Sequence, residues 1–109
     1  MMKNNEVINI LSRCVTKLDP NLVNTEFFES EIGDLVIFIY NENLDHINNM
    51  LIRFNALAGV LFSFNVRYST NMCFIGGDEV DLPGDSASKV EYIQIIIPKK
   101  EYEKLNRML

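Results

Sequence analysis

Four acids crowd one short stretch of the chain: Asp78, Glu79, Asp81 and Asp85, within Gly76-Gly77-Asp78-Glu79 and Leu82-Pro83-Gly84-Asp85. Carboxylates at this density can surround a hard cation with oxygen ligands. Alternatively, their summed field can steer a basic partner to the surface. The spacing fits no calcium loop, and the Gly-Gly and Pro-Gly pairs are turn signals. The acids therefore belong to a long connection, the kind of segment that most often carries binding function. The expectation is a partner contact at Asp78, Glu79, Asp81 and Asp85, with no bound metal and no cofactor.

The other residues able to do chemistry are scattered. His46 is the single histidine; it follows Asp45 on the polar side of a helix, with no nucleophile near it in sequence. Nucleophilic catalysis needs such a base within hydrogen-bond reach of its partner. Cys14 and Cys73 stand in apolar settings, and neither has a second Cys or a His at metal-ligand spacing. They read as buried thiols, which fits a reducing, cytoplasmic compartment. No catalytic residue is assigned, and the chain reads as a non-enzyme. Phe62, Phe64 and Tyr68 alternate as stacking aromatics do on RNA-binding sheets, but the basic company of such sheets is missing, so core packing is expected for them. Lys99, Lys100, Lys104 and Arg107 are interleaved with Glu101 and Glu103, the pattern of an exposed helix stabilised by pairs three and four residues apart.

The Gly76-Gly77-Asp78-Glu79 turn, with Leu82-Pro83-Gly84 after it, resembles the GGDE turn of diguanylate cyclases over about ten residues. The resemblance would imply a nucleotide over the Gly-Gly backbone and acids acting on metal and substrate. The family's upstream metal carboxylates and its Asn–Asp pair have no counterpart in this chain, so membership is not claimed.

The elements that must position these groups follow from periodicity. The chain has 109 residues and is nearly half apolar, which suits one packed domain spanning 1–109. Residues 4–18 form an amphipathic helix with the stripe Val7, Ile10, Leu11, Cys14, Val15 and Leu18, to be buried on the domain's own sheet or against a partner. Pro20 ends it. Residues 26–97 make a strand, helix and strand core. Glu26–Ser30 is a short strand, and Gly33 supplies a turn into the apolar strand Leu35–Tyr40. A helix from Asn41 to Gly59 follows, with Leu44, Ile47, Met50, Leu51, Phe54, Leu57 and Ala58 inward, Arg53 on the polar side, and Gly59 as its stop. Val60–Tyr68 alternates as an edge strand. Residues 69–89 are an irregular loop, in which Met72–Ile75 can add a short strand. Val90–Ile97 is the second apolar strand. Residues 98–109 form the C-terminal helix, with Tyr102, Leu105, Met108 and Leu109 inward.

This order predicts an α+β fold: a 4-5 stranded mixed or antiparallel sheet with helices mainly on one face. Leu35–Tyr40 and Val90–Ile97 should be central neighbours. The arrangement matches a permuted ferredoxin-like (split βαβ) sheet with an extra N-terminal helix.

Net charge is −5, which argues against binding phosphate backbones in general. No apolar run is long enough to span a bilayer, and Asn4, Asn5, Glu6 and Asn9 interrupt any apolar leader. Thirteen asparagines beside many Ile and Lys suggest an AT-rich genome such as that of a phage or mobile element. The function expected is a small non-enzymatic protein-binding or regulatory factor, of inhibitor or immunity type, that binds another protein or itself. The alternatives are a nucleic-acid or nucleotide-binding module using sheet aromatics, or a metal-dependent enzyme using the carboxylates at 78–85.

Overall fold

The computed structural model of the chain describes residues 2–16, 24–41, 47–74 and 90–108. Among them are three helices and a four-stranded antiparallel sheet. In chain order these are α1 (Met2–Val15), β1 (Thr25–Glu29), β2 (Leu35–Tyr40), α2 (Ile47–Ser63), β3 (Ser69–Phe74), β4 (Val90–Ile97) and α3 (Lys99–Met108). The strand order is β1-β2-β4-β3. The two most apolar strands are thus central neighbours, as their composition demands. β2 and β3, which α2 connects, run parallel to each other because β4 lies between them and is antiparallel to both.

The pairing register divides the central strands into two faces. Leu35↔Ile97, Ile37↔Ile95 and Ile39↔Ile93 share the face under the helices, and all six side chains are fully buried. The helices complete this core at intervals of about four residues, the spacing of one helix face. Val7, Leu11 and Val15 come from α1, Met50, Leu57 and Leu61 from α2, and Tyr102 and Leu105 from α3. Burying each such aliphatic side chain stabilises the fold by roughly 1.5–3 kcal/mol before chain entropy is counted. Val7, Leu11 and Val15 of the α1 stripe are therefore buried within the chain, with Cys14 packed against them; Ile10 is half-buried, Leu18 lies outside the described residues, and α1 packs chiefly against α2 and α3.

The hairpin β1–β2 turns as its glycine requires. Gly33 has φ +95°, and a Cβ there would come within 3.0 Å of Lys99 Cδ. The Gly33 N–H donates to Ser30 O at 3.0 Å, and the Ser30 N–H donates to Asp34 O at 2.9 Å. The same turn starts α3: Asp34 Oδ1 accepts the Lys99 N–H at 2.8 Å, a helix cap supplied from a distant loop.

Four expectations are corrected. First, α2 does not stop at Gly59 but continues to Ser63, and Val60–Tyr68 is not a strand. The real stop is Asn65, which takes φ +58°. The Asn65 N–H donates to Phe62 O and the Val66 N–H to Leu61 O, both at 2.9 Å. That pair of bonds is a Schellman motif, closed by Val66 and Leu61 together in the core. Second, the edge strand beside β4 is β3: the short strand expected from Met72 begins at Ser69, so 69–71 are strand rather than loop, and Ile75 lies outside the described residues. Third, Arg53 does not lie on a polar face: it is 1 % exposed. Its Nη1 donates to Asn24 O at 2.8 Å and Thr25 Oγ1 at 3.0 Å, and its Nη2 donates to Tyr40 O at 2.8 Å. A guanidinium's fixed fork can bind the start of β1 and the end of β2 at once. Fourth, at the C-terminus, Met108 is exposed rather than buried.

Candidate docking face on the open side of the sheet

Alternate residues of the strands point away from the helices, because successive side chains of a strand leave on opposite faces. The register arranges them in rows. Phe28, Val36, Ile96 and Ser69 lie across the sheet in one row. Glu26, Phe38, Gln94 and Asn71 form the next, followed by Tyr40, Tyr92 and Cys73. Of these eleven residues none is basic and one, Glu26, is acidic.

Four rings make the centre of this face. Phe38 stacks on Phe28 at 5.6 Å between centroids and on Tyr40 at 5.8 Å. Tyr92 meets Phe38 edge-on at 5.3 Å and Tyr40 at 5.9 Å. Contacts of this kind contribute about 0.5–1.5 kcal/mol each beyond simple burial. They hold the rings in place while leaving their outer surfaces accessible: Phe28 is 41 % exposed, and Phe38, Tyr40 and Tyr92 are half-buried. Val36, at 5 % exposure, is sealed beneath its neighbours.

The polar groups of the face are organised as well. The Tyr40 hydroxyl donates to Glu26 Oε1 at 2.9 Å, and Asn71 Nδ2 donates to Gln94 Oε1 at 3.1 Å. Burial, and then the bond to Glu26, push the Tyr40 phenol above its ordinary range. The Tyr92 phenol is also raised, first by its side-chain hydrogen bond with Cys73. Both phenols are therefore protonated at neutral pH and offer neutral hydrogen-bonding tips on an apolar platform.

The residues singled out by sequence are placed unevenly. Asp78, Glu79, Asp81 and Asp85 lie outside the described residues, and so does His46. Phe62, Phe64 and Tyr68 do not share a sheet face; Phe62 sits on α2 and is 84 % exposed. Phe64 and Tyr68 pack against the core. Cys73 joins the open face, whereas Cys14 lies on α1, where its Sγ donates to Ile10 O at 3.3 Å and burial raises its pKa. Of the basic residues of α3, Lys104 is a paired surface charge. Lys104 Nζ lies 3.1 Å from Glu101 Oε1, which also accepts the Arg67 N–H at 2.9 Å. The Arg67 N–H first, and Lys104 next, hold the Glu101 carboxyl below its usual range.

Among the described residues no group of three or more His, Cys, Asp or Glu side chains could hold a metal ion. No described helix is long and apolar enough to cross a membrane. A groove of about 450 Å³ runs between α1 and α3, lined by Glu6, Asn9, Ile10, Arg13 and Met108. Its mixed walls offer no convergent set of polar groups of the kind a small-molecule site needs.

The aromatic face had a signal in the sequence. Within β2 the aliphatic residues Leu35, Ile37 and Ile39 alternate with Val36, Phe38 and Tyr40, and within β4 Ile93, Ile95 and Ile97 alternate with Tyr92, Gln94 and Ile96. Counting all apolar types as equal hides this period of two.

Comparison of the chain with models of protein families, with curated proteins and with solved structures finds no match.

Proposed function

We propose that this protein is a small non-enzymatic interaction module that binds a partner protein through the open face of its sheet. The observation that carries this reading is the platform of Phe28, Phe38, Tyr40 and Tyr92, with no described helix over it and no basic residue in it. Aromatic residues with polar tips are the side chains that concentrate binding energy at protein interfaces. The chemistry of the platform defines the partner. Its centre takes aliphatic or aromatic side chains, its ring faces take an arginine, and Glu26 accepts a hydrogen bond from that arginine.

The acids Asp78, Glu79, Asp81 and Asp85 are proposed as a second, longer-range contact that attracts the same basic partner. They belong to the connection that leaves the sheet at Phe74 and returns at Val90. The protein would act by occupancy, as inhibitors, immunity-type proteins and regulatory factors do. Its cysteines suit the reducing cytoplasm of a host cell.

The test compares three tagged proteins in pull-downs from the native cells: wild type, Phe28→Ala with Tyr92→Ala, and a variant with alanine at all four acids. Expected is one stoichiometric protein retained by wild type, lost from the ring variant and recovered more slowly by the acid variant, with unchanged circular dichroism for all three. Equal retention by wild type and ring variant would refute the face as the contact. Salt-sensitive retention of single-stranded RNA that depends on the rings would replace the proposal with base stacking.

A further inference from the structure

Helix α2 has an outward face that its surroundings do not explain. Its seventeen residues include a single charge, Arg53, and that one is buried. A surface helix ordinarily turns a charged or polar face to water. Here the side opposite Met50, Leu57 and Leu61 carries Ile52, Asn55, Gly59 and Phe62. Phe62 is 84 % exposed and Ile52 is 48 % exposed. Gly59, between them, weakens the helix relative to alanine by roughly 1 kcal/mol. Among the described residues nothing requires it: a Cβ at Gly59 would meet none of their atoms within 4 Å.

The spacing of these four residues is palindromic. From Ile52 the steps to Asn55, Gly59 and Phe62 are three, four and three. Two such helices related by a two-fold axis and lying antiparallel place Ile52 opposite Phe62 of the second copy, and Asn55 opposite Gly59 of the second copy. The larger Asn side chain then faces the space that glycine leaves open. A two-fold contact brings a surface against itself, so any charge on it would meet the same charge nearby. A chain of net charge −5 can associate with its own copy most easily through a patch that carries none. A heterologous partner recognised by charge would need the opposite composition.

We infer that the protein forms an antiparallel homodimer through α2, in a register that sets Ile52 against Phe62 and Asn55 against Gly59 of a second copy. This inference is independent of the partner proposed for the aromatic face, which lies on the other side of the sheet. In the dimer the two helical layers meet, and the two aromatic faces point outward.

Sedimentation equilibrium on the full chain tests it between about 5 µM and 500 µM, the range in which a contact of modest area associates. The mass should rise from 12.6 kDa toward twice that value. Phe62→Glu and Ile52→Lys, both at exposed positions, should each weaken association by about tenfold or more while leaving the circular dichroism spectrum intact. Mixing these two variants is the decisive step. In the inferred register Lys at 52 of one chain faces Glu at 62 of the other, while the reciprocal Phe62–Ile52 contact stays native, so the mixture should dimerise again. A mass of 12.6 kDa at every concentration overturns the dimer. Dimers that survive both variants overturn the surface, and failure of the mixture to recover overturns the register.

Discussion

The two faces of the sheet are built from the same strands and differ in the residues they use. On the covered side Leu35, Ile37, Ile39, Ile93, Ile95 and Ile97 are aliphatic and fully buried. On the open side Phe28, Phe38, Tyr40 and Tyr92 are aromatic, and Gln94, Asn71, Ser69 and Glu26 surround them. Branched aliphatics suit a permanent core, where their stiff rotamers interdigitate. Tyrosine suits a face that is alternately wet and occupied, because its hydroxyl keeps a partner in either state. The contrast separates residues that hold the fold from residues that are available to something else.

Mutation can break that contrast. Ile37→Ala, in the centre of the covered face, should cost about 2–5 kcal/mol, the cost of lost transfer energy plus a cavity. Phe28→Ala, on the open face, should cost only about 1 kcal/mol, because Phe28 already meets water. Urea unfolding of the two variants measures the difference, and equal losses would mean that the open face is core.

Arg53 ties the start of β1 to the end of β2, and its removal comes next in size. Arg53→Met takes three hydrogen bonds from Asn24, Thr25 and Tyr40. Carbonyl groups left short of donors in a buried site should make the loss about 2–4 kcal/mol in the same experiment. Arg53→Lys should recover less than half of it, since one ammonium cannot reproduce the fork.

A smaller effect, on pH dependence, sharpens the comparison. Tyr102 is buried on the covered side, and its hydroxyl donates to Glu29 Oε2 at 2.5 Å. Burial first, and that bond next, push its pKa well above the ordinary value of 10.0. The folded state therefore keeps a proton that the unfolded chain gives up. The resulting stability is fully present below pH 10.0 and is lost as pH rises beyond it. Tyr102→Phe should flatten this alkaline limb in melts followed by circular dichroism. Tyr92→Phe on the open face should change it less.

The sequence was most legible where one physical signal acted alone. The apolar runs of β2 and β4 marked the sheet centre, and Gly33 marked the hairpin. The α+β class and the helix-covered face followed from them. Legibility failed at residues 60–68, where Phe62, Phe64, Val66 and Tyr68 imitate a strand while the chain is finishing a helix. The helix prevails because Leu61 and Val66 join the core only if Asn65 turns left-handed, a condition set by tertiary packing rather than by local pattern. Arg53 was misread for a similar reason: helical periodicity assigns arginine outward, and only the carbonyls of β1 and β2 explain it inside. The aromatic face was hidden by treating rings and aliphatics as equivalent.

The clamp made by Arg53 also bears on how strongly the open face can bind. Tyr40 closes β2, and strand ends ordinarily fray. Here its backbone is held from two directions: its N–H donates to Asn24 O at 2.8 Å, and its carbonyl accepts from Arg53. Its ring projects onto the open face from that fixed point. A partner docking there as proposed would meet a surface whose motion was already restricted when the chain folded. Little further entropy is lost on contact, so more of the interaction energy appears as affinity.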